Sequence, residues 1–501
     1  MLNEPSSRAH DDLTSTRSTG LLLLCVLAIH GSQAPAQSPL SLASLATTPA
    51  GSGCNVVPPI PAVPPDATVF KHTAGSDLST QLQSSLDKLR SGDWLVLEPG
   101  LYPIGKHLSV AMNGVTVYGK GATLHSSSAT DGGILVRGDN VSIYNLTLTQ
   151  ASAERQTTPW SGGIAVFDDR SGRPRRVDGA MIRGNTINYA AGAGIFLYKV
   201  SRFTVADNTV FRSLADGIHL TGGSADGRVI RNTVSQTGDD MIGIVSYAGN
   251  RNAVGTAARY AQLSEDDLDW NVYVAENHLS DQYWGRGVSV VGGSNVTIEN
   301  NTITRTPTAA AIYLLRENSY ATFGDHNIVV RSNDISETQT LPPTYAPANY
   351  KLSMTHHGAI EVASQMDQDE SDDARYRSLL SVADIEIAGN TVRNSRFAGI
   401  RLGANSPVGN TVTNVEVRDN RLQNVGQPIV ASAESGIDRT TLSCAQNRVD
   451  GALWEARCDK DQDAAVKVNA RITGASLTCR PDGTIGRSGP KPPSSLSIQQ
   501  R

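Results

Sequence analysis

Short alternating apolar runs recur along most of the chain, and glycine or a polar turn separates each run from the next. The clearest unit is an asparagine, one further residue and an apolar residue, as in Asn185–Ile187 and Asn208–Val210. A second apolar pair follows within the unit, as in Ile218 and Leu220. Alternation with a period of two predicts short strands, and the glycines mark the turns between them.

The units repeat with a period near 24 residues. Asn185 and Asn208 are 23 residues apart, and Asn208 and Asn232 are 24 residues apart. The marker asparagines are Asn185, Asn208, Asn232, Asn277, Asn301, Asn333, Asn390 and Asn420. This period, with two or three strands per repeat, predicts an all-β solenoid, the parallel β-helix. A β-propeller needs blades of about 40 to 50 residues, and the leucine spacing of a leucine-rich repeat is absent.

The marker asparagines predict a structural role at the sharp turn of each coil. Asparagine tolerates left-handed backbone geometry there, and its side chain can bond to backbone or to the asparagine of the next coil in a ladder. The longer gaps from Asn232 to Asn277 and from Asn333 to Asn390 predict inserted loops. Such loops on a solenoid tend to form the walls of a binding face.

The two ends of the chain depart from the repeat. Residues 37–66 are rich in proline and serine and predict a linker, followed by a β-helix domain at 67–435. Within its start, Ser76–Leu89 has leucines at helical intervals and predicts a short helix that caps the solenoid. Residues 436–485 predict a disulfide-stapled C-terminal cap, and 486–501 predict a disordered tail.

Residues 1–36 have the pattern of a signal peptide. Arg8 and Arg17 precede the apolar run Gly20–Ile29, and the Ala-Pro-Ala sequence at 34–36 predicts the cleavage site. The run is too short to span a bilayer comfortably, so a buried helix or an uncleaved anchor is the alternative. We therefore expect a secreted or periplasmic protein with no membrane span.

Cysteine usage agrees with an oxidising compartment. Cleavage would remove Cys25 and leave Cys54, Cys444, Cys458 and Cys479, for which three pairings are possible. No pair has the C-x-x-C spacing of a zinc site. The net charge of −5 and the isoelectric point near 6.1 give no electrostatic reason to expect nucleic acid or an anionic membrane as partner.

Strand alternation predicts two columns of side chains on one face of the solenoid. The column at the leading edge of the strands is Ala193, Asp216, Asp240, Arg286, Ala310, Gly358 and Ala398. The outward column is Phe196, His219, Gly243, Ser289, Tyr313, Glu361 and Arg401.

The leading-edge column predicts a cluster of carboxylates, because Asp216 and Asp240 lie on adjacent coils about 4.8 Å apart and Asp239 adds a third acid. Like charges this close raise at least one pKa. A glycoside hydrolase needs this pairing of one protonated acid with one ionised base or nucleophile. The alternatives are turn capping and Ca²⁺ binding by the same three residues.

Three motifs of this chain resemble the active-site coils of polygalacturonase-type glycoside hydrolases. These enzymes have the right-handed, pectin-lyase-like β-helix fold. The motifs are Asp216-Gly-Ile, the Gly-Asp-Asp sequence that ends at Asp240, and Gly285-Arg-Gly. The resemblance implies a single-stranded right-handed parallel β-helix and an inverting hydrolysis that needs no cofactor. It implies that Asp239 is the general acid and that Asp216 and Asp240 activate water.

The chain departs from this family at three positions. Arg286 stands where the family has histidine, no Arg-x-Lys motif precedes or includes Arg316, and Met241 replaces a cysteine. The missing Arg-x-Lys is the family's contact with a uronate carboxylate, so galacturonan is not the expected substrate. Arg286 or Arg316 remains a candidate to bind an acidic group.

Aromatic and histidine side chains complete the list of substrate-binding candidates. His219 is either a second acid or base or a stacking residue, and Phe196 and Tyr313 are either sugar platforms or packing residues under loops. A lyase or C5-epimerase acting on uronic acid polymers is the alternative function. It would use arginine or Ca²⁺ to neutralise the carboxylate and a base such as lysine, arginine, histidine or tyrosine. The candidates for this chemistry are Arg286, His219, Tyr313, His356 and His357. A third alternative is a non-catalytic protein that binds or helps export a glycan.

Overall fold

The computed structural model describes residues 53–454, except 151–153, 159, 347–350, 352, 405–407, 409–410 and 432–436, together with 472, 474–475, 477, 479 and 485. The predicted signal peptide, most of the predicted linker, Cys458 and the predicted tail lie outside these residues. The described chain is a right-handed parallel β-helix, which confirms the predicted fold.

Most regular structure consists of short strands. In chain order they are β1 (Thr68–Phe70), β2 (Trp94–Leu97), β3 (Gly100–Ile104), β4 (Leu108–Val110), β5 (Thr116–Tyr118), β6 (Ala122–Ser126), β7 (Gly132–Val136), β8 (Ser142–Tyr144), β9 (Thr147–Gln150), β10 (Ser161–Val166), β11 (Val177–Asp178), β12 (Met181–Arg183), β13 (Thr186–Asn188), β14 (Ile195–Tyr198), β15 (Val200–Ser201), β16 (Thr204–Ala206), β17 (Thr209–Phe211), β18 (Ile218–Thr221), β19 (Ala225–Ile230), β20 (Thr233–Ser235), β21 (Ile242–Val245), β22 (Asp269–Ala275), β23 (His278–Ser280), β24 (Val288–Val291), β25 (Gly293–Glu299), β26 (Thr302–Thr306), β27 (Ile312–Arg316), β28 (Asp325–Arg331), β29 (Asp334–Thr338), β30 (Ile360–Ser364), β31 (Val382–Ala388), β32 (Thr391–Ala404), β33 (Val412–Arg418), β34 (Arg421–Ala431), β35 (Leu442–Ala445), β36 (Asn447–Val449) and β37 (Ala452–Trp454).

Helices occur at the N-terminal end and in inserted loops. The α-helices are α1 (Ser79–Leu86), α2 (Thr256–Arg259), α3 (Gln368–Asp372) and α4 (Ala374–Leu380). Short 3-10 turns are Gly53–Asn55, Glu265–Asp267, Asn318–Tyr320 and Arg439–Thr441. None of the helices within the described ranges is long and apolar enough to cross a bilayer.

Each coil passes through three faces in the order A, B and C. Face A contains β1, β2, β5, β8, β12, β16, β19, β22, β25, β28, β31, β33 and β35. Face B contains β3, β6, β9, β13, β17, β20, β23, β26, β29, the first parts of β32 and β34, and β36. Face C contains β4, β7, β10, β14, β18, β21, β24, β27, β30 and the later parts of β32 and β34.

Apolar side chains stack in register inside the solenoid. On face C, Ile195 pairs with Ile218, Ile218 with Ile242, and Ile242 with Val288. All four are fully buried. A parallel sheet of this kind is stabilised mainly by burying such aliphatic rows, which accounts for a core built from few aromatic residues.

The marker asparagines form one continuous buried ladder. Asn208 donates hydrogen bonds from its backbone N–H and its side-chain amide to Oδ1 of Asn232, both at 3.0 Å, and Asn232 does the same to Asn277. The predicted ladder is confirmed and extends to Asn447. The prediction that asparagine itself takes the left-handed conformation is wrong. The residue before it does so, for example Asp207 with φ 56°, because the asparagine side chain must point inward to reach the next coil.

The ends of the described chain meet on face A. Helix α1 is shorter than the predicted Ser76–Leu89, but it buries Leu82 and Leu86, and the flanking Leu78 and Leu89 are buried with them, as expected for an N-terminal cap. Residues 53–60 fall within the predicted linker, and contacts with face A hold them in place. Nη1 of buried Arg228 donates to the carbonyl oxygens of Cys54 and Val56, both at 2.9 Å.

One described disulfide joins Cys54 to Cys479, which are 425 residues apart. It therefore links the N-terminal arm to the C-terminal segment, and Cys54 packs against face A strands β16, β19 and β22. Cys444 is also disulfide-bonded. The predicted staple at the C-terminal end is present, and one of its bonds reaches back to the N-terminal arm.

Inserted loops line both edges of face C, as the long gaps in the repeat predicted. Residues 246–268 and 365–381 follow face C strands, and the described residues of 154–160 and 339–359 precede them. Two of the loops are held together by a fully buried ion pair, Arg316 to Glu370 at 2.6 Å, to which Tyr260 also bonds. We call face C between these two rows of loops the groove.

Candidate active site

Three carboxyl groups converge on the groove. Asp216 directly precedes Gly217 and β18, and Asp239 and Asp240 precede β21. The backbone N–H of Gly217 donates to the carbonyl of Asp240 at 2.9 Å, which stacks the two coils in the predicted register. One oxygen from each of the three carboxyl groups lies within 4.8 Å of the oxygens from the other two.

The outward column of face C also has the predicted register. His219 lies between Phe196 and Gly243, and Gly243 pairs next with Ser289. The His219 and Phe196 rings stack with centroids 5.4 Å apart and planes 4° apart. Nδ1 of His219 lies 3.1 Å from Oδ2 of Asp216. Phe196 thus contacts the imidazole that holds one of the acids.

Asp240 is the most enclosed of the three acids, with 4% of its surface exposed. Its Oδ1 accepts the backbone N–H of Arg286 at 2.7 Å, and its Oδ2 accepts the Ser289 hydroxyl. Burial raises the pKa of Asp240 to about 7, against the opposing charge of Arg286 and with the support of the charges of Asp239 and Asp216. The cluster therefore retains a proton near neutral pH.

Asp216 has the opposite electrostatic balance. Burial raises its pKa, but the charge and hydrogen bond of His219 and the charge of Arg155 outweigh burial, so the pKa of Asp216 lies below its ordinary value. An ionised carboxylate thus lies one coil from a protonated one. This is the pair of protonation states that acid–base hydrolysis requires.

Arg155 is a site residue that sequence reasoning missed. It lies in the inserted segment before β10, and its Nη2 is 2.7 Å from Oδ2 of Asp239. Asp239 has 23% of its side chain exposed and is the most accessible of the three acids. No repeat or motif includes Arg155, so its place could be found only from the folded chain.

Arg286 is bound on several sides. Its Nη2 lies 2.8 Å from Glu317, its Nη1 lies 3.6 Å from Asp240, and its guanidinium lies 4.4 Å from the centre of the Tyr313 ring. The His357 ring stacks on Tyr313 at 4.9 Å. Tyr313 is consequently buried between these side chains. It is therefore a packing residue and not an open platform for a sugar ring.

The remaining sequence candidates lie apart from the acids. Arg316 is 0% exposed and forms the buried ion pair with Glu370, so it does not face the groove. The His356 ring packs on Phe397 at 4.5 Å, and burial lowers the pKa of His357 to about 3. Each of these two histidines thus packs its ring on an aromatic side chain, His356 on Phe397 and His357 on Tyr313.

The three aspartates have the composition of a cation site, but basic side chains already contact all three. Arg155 contacts Asp239, Arg286 contacts Asp240, and His219 contacts Asp216. A divalent ion would have to displace or tolerate these side chains at close range. The arrangement fits proton transfer better than Ca²⁺ coordination.

Comparison with known proteins supports the fold. Residues 107–254 match the family model described as right handed beta helix region. No curated protein sequence matches the chain.

Solved structures of similar fold include the catalytic domain of a GH87 alpha-1,3-glucanase in complex with nigerose. Its identity is 15% and its TM-score 0.57, with 78% of this chain and 66% of that chain covered. The chain thus spans just under two thirds of that glucanase domain. The mannuronan C-5 epimerase A-module of Azotobacter vinelandii is 12% identical, with a TM-score of 0.46 and coverage of 75% of this chain and 95% of that one. An alginate lyase from Paenibacillus sp. str. FPU-7 is 13% identical, with a TM-score of 0.41 and coverage of 74% and 99%. At 15% identity and a TM-score of 0.57, the glucanase comparison establishes a shared fold alone.

Proposed function

We propose that this protein hydrolyses glycosidic bonds of a polysaccharide bound along the groove. The observation that carries the proposal is the juxtaposition of Asp240, whose pKa is raised to about 7, with Asp216, whose pKa is lowered. Both face the same surface together with the more exposed Asp239. Neighbouring carboxyl groups whose pKa values are shifted in opposite directions are typical of catalytic acids and bases.

Solved structures of the GH87 alpha-1,3-glucanase add support. They include alanine variants at three aspartates, the second 23 residues after the first and the third directly after the second, in complex with nigerose or tetrasaccharides. Asp239 follows Asp216 by 23 residues, and Asp240 follows directly. The spacing corresponds to one coil of the solenoid.

The proposed roles follow from accessibility and charge. The Asp239–Asp240 pair supplies a proton to the leaving glycosidic oxygen as its bond to the anomeric carbon breaks. Asp216 accepts a proton from the water whose oxygen forms the new bond. Because the two adjacent acids interact strongly, the proton belongs to the pair as a whole. Asp240 is thus assigned to the donor pair, whereas the family resemblance implied a role in activating water.

Charge pairing favours a neutral polysaccharide, such as an α-glucan, as substrate. Arg155 pairs with Asp239, Arg286 with Glu317 and Arg401 with Glu361. A uronate carboxylate entering the groove would have to compete with these built-in acids for each guanidinium. The apolar run at Gly20–Ile29 and the Cys54–Cys479 disulfide support export of the enzyme, which would give it access to such polymers.

Removing either acid of the Asp239–Asp240 pair should slow catalysis. Asp239→Asn and Asp240→Asn are each expected to lower kcat at least a hundredfold on a polysaccharide that the wild type cleaves, since general acid catalysis contributes about 10²–10⁴. Release of reducing ends is the measurement.

Asp281→Asn is the matched control for these variants. Asp281 is 22% exposed and pairs with Arg305 at 2.6 Å, much as Asp239 pairs with Arg155, but it lies outside the cluster. It should retain wild-type turnover. Unchanged kcat in both cluster variants would refute the proposed roles.

A further inference from the structure

Gly243 leaves a gap in the floor of the groove, next to the acids. Its neighbours in the outward column are His219 on one side and Ser289 on the other. Two coil steps separate those neighbours, which is about 9.6 Å. The glycine between them contributes no side chain to fill that distance.

Three polar atoms surround the gap. A Cβ placed on Gly243 would lie 3.4 Å from Oδ1 of Asp216, 3.5 Å from Nδ1 of His219 and 3.6 Å from Oγ of Ser289. These are ordinary van der Waals distances. A water oxygen must keep van der Waals distance from the Gly243 Cα, so it lies about 2 Å farther out than this Cβ position, in the space that the three polar atoms border.

We propose that Gly243 forms the seat of the nucleophilic water, which makes it a positioning residue for the hydrolysis. This inference rests on the proposed function. It adds the location of the attacking oxygen, and with it the point along the groove where the bond is cleaved.

The hydrogen-bonding roles around the seat orient the water. Oδ2 of Asp216 is engaged by His219, so Oδ1 on the Gly243 side accepts one water proton. The Ser289 hydroxyl donates to Oδ2 of Asp240, so a lone pair of its oxygen accepts the other. Both water protons then point into the protein, and an oxygen lone pair points toward the groove.

The water in this position attacks the anomeric carbon in a single displacement. The water oxygen forms a bond to the anomeric carbon while Asp216 takes one of its protons. The bond from that carbon to the leaving oxygen breaks, and the Asp239–Asp240 pair protonates the leaving oxygen. Ser289 lies between the water and Asp240, so a single hydroxyl contacts both the nucleophile and the acid pair.

Gly243→Ala tests the seat. The added methyl group meets no atom closer than 3.4 Å, so the fold and its melting temperature should be retained. The methyl group overlaps the van der Waals volume of the water and excludes it, so kcat should fall at least tenfold while KM and the affinity for a non-cleaved oligosaccharide, measured by calorimetry, stay within about twofold. Ser289→Ala removes one acceptor of the water and provides a second variant, with a fall in kcat expected as well.

Gly192→Ala is the control. Its added methyl group meets comparable contacts, Thr158 O at 3.3 Å and Ser161 Cβ at 3.4 Å, outside the acid cluster, and wild-type turnover is expected. Unchanged kcat in Gly243→Ala overturns the seat while leaving the hydrolase proposal intact. A weakened affinity with unchanged kcat also overturns it, because the gap then receives a substrate hydroxyl. A wild type inactive on every polysaccharide overturns the proposed function and the seat together.

Discussion

At the scale of single residues, the chemistry depends on how burial and charge divide three neighbouring carboxyl groups. His219 stabilises the ionised form of Asp216, whereas Asp240 is enclosed and faces two other acids. Arg286 and Ser289 limit the rise in the pKa of Asp240 without cancelling it. Of two aspartates one coil apart, one thus titrates near neutral pH while the other is ionised there.

This division predicts the pH dependence of catalysis. The donor must be protonated, so kcat should fall as pH rises through about 7, the raised pKa of Asp240. Asp216 is the base, and its pKa is lowered. It therefore stays ionised as the pH falls through the ordinary pKa range of an aspartate. The measurement is a pH profile of kcat. Turnover that continues to rise well above neutral pH would contradict this assignment.

Strand alternation in the sequence predicts part of the site. It predicts that Asp216, Asp240 and Arg286 stack and that His219 and Gly243 lie beside them, and the register confirms this. It does not predict Arg155 or the burial of Tyr313, because both depend on inserted loops that lie outside the repeat.

At the scale of elements, the asparagine ladder holds the turns between faces A and B. Asn277 donates to Asn301 through two N–H groups, donates to the carbonyl of Val229, and accepts two hydrogen bonds from Asn232. All these groups are buried, so each lost partner leaves a polar atom without water.

Asn277→Ala should therefore destabilise the protein by about 3 kcal/mol or more, at roughly 1–3 kcal/mol for each buried group left unsatisfied. Urea unfolding measures the change. Asn252→Ala removes an exposed asparagine from a loop and should change the free energy of unfolding by less than about 0.5 kcal/mol. Equal effects of the two substitutions would show that the ladder does not contribute specifically.

The ladder could be predicted from spacing alone, since a fixed residue every 23 or 24 positions in a solenoid must stack. The conformation of the turn could not. Positions before the asparagines include glycine, aspartate, arginine and glutamate, and this mixed set gives no composition signal for the left-handed residue.

At the scale of the whole molecule, the groove lies on face C, and the chain ends are fastened on face A. The Cys54–Cys479 bond and the arm over Arg228 lie on face A and not on the face that carries the acids. Four cysteines allow three pairings, so the sequence could predict a staple without its connectivity. The repeat does predict which coils carry long loops, and these loops border the groove.

The products formed by the wild-type protein test the central claim most directly. The purified protein is incubated with neutral glucans, including α-1,3-glucan, and with polygalacturonate and alginate, and both reducing ends and ultraviolet absorbance are followed. Hydrolysis predicts new reducing ends from a neutral glucan with no unsaturated, ultraviolet-absorbing product. Absorbing products from a uronic acid polymer without cleavage of any neutral glucan, or no release from any polymer, would contradict it.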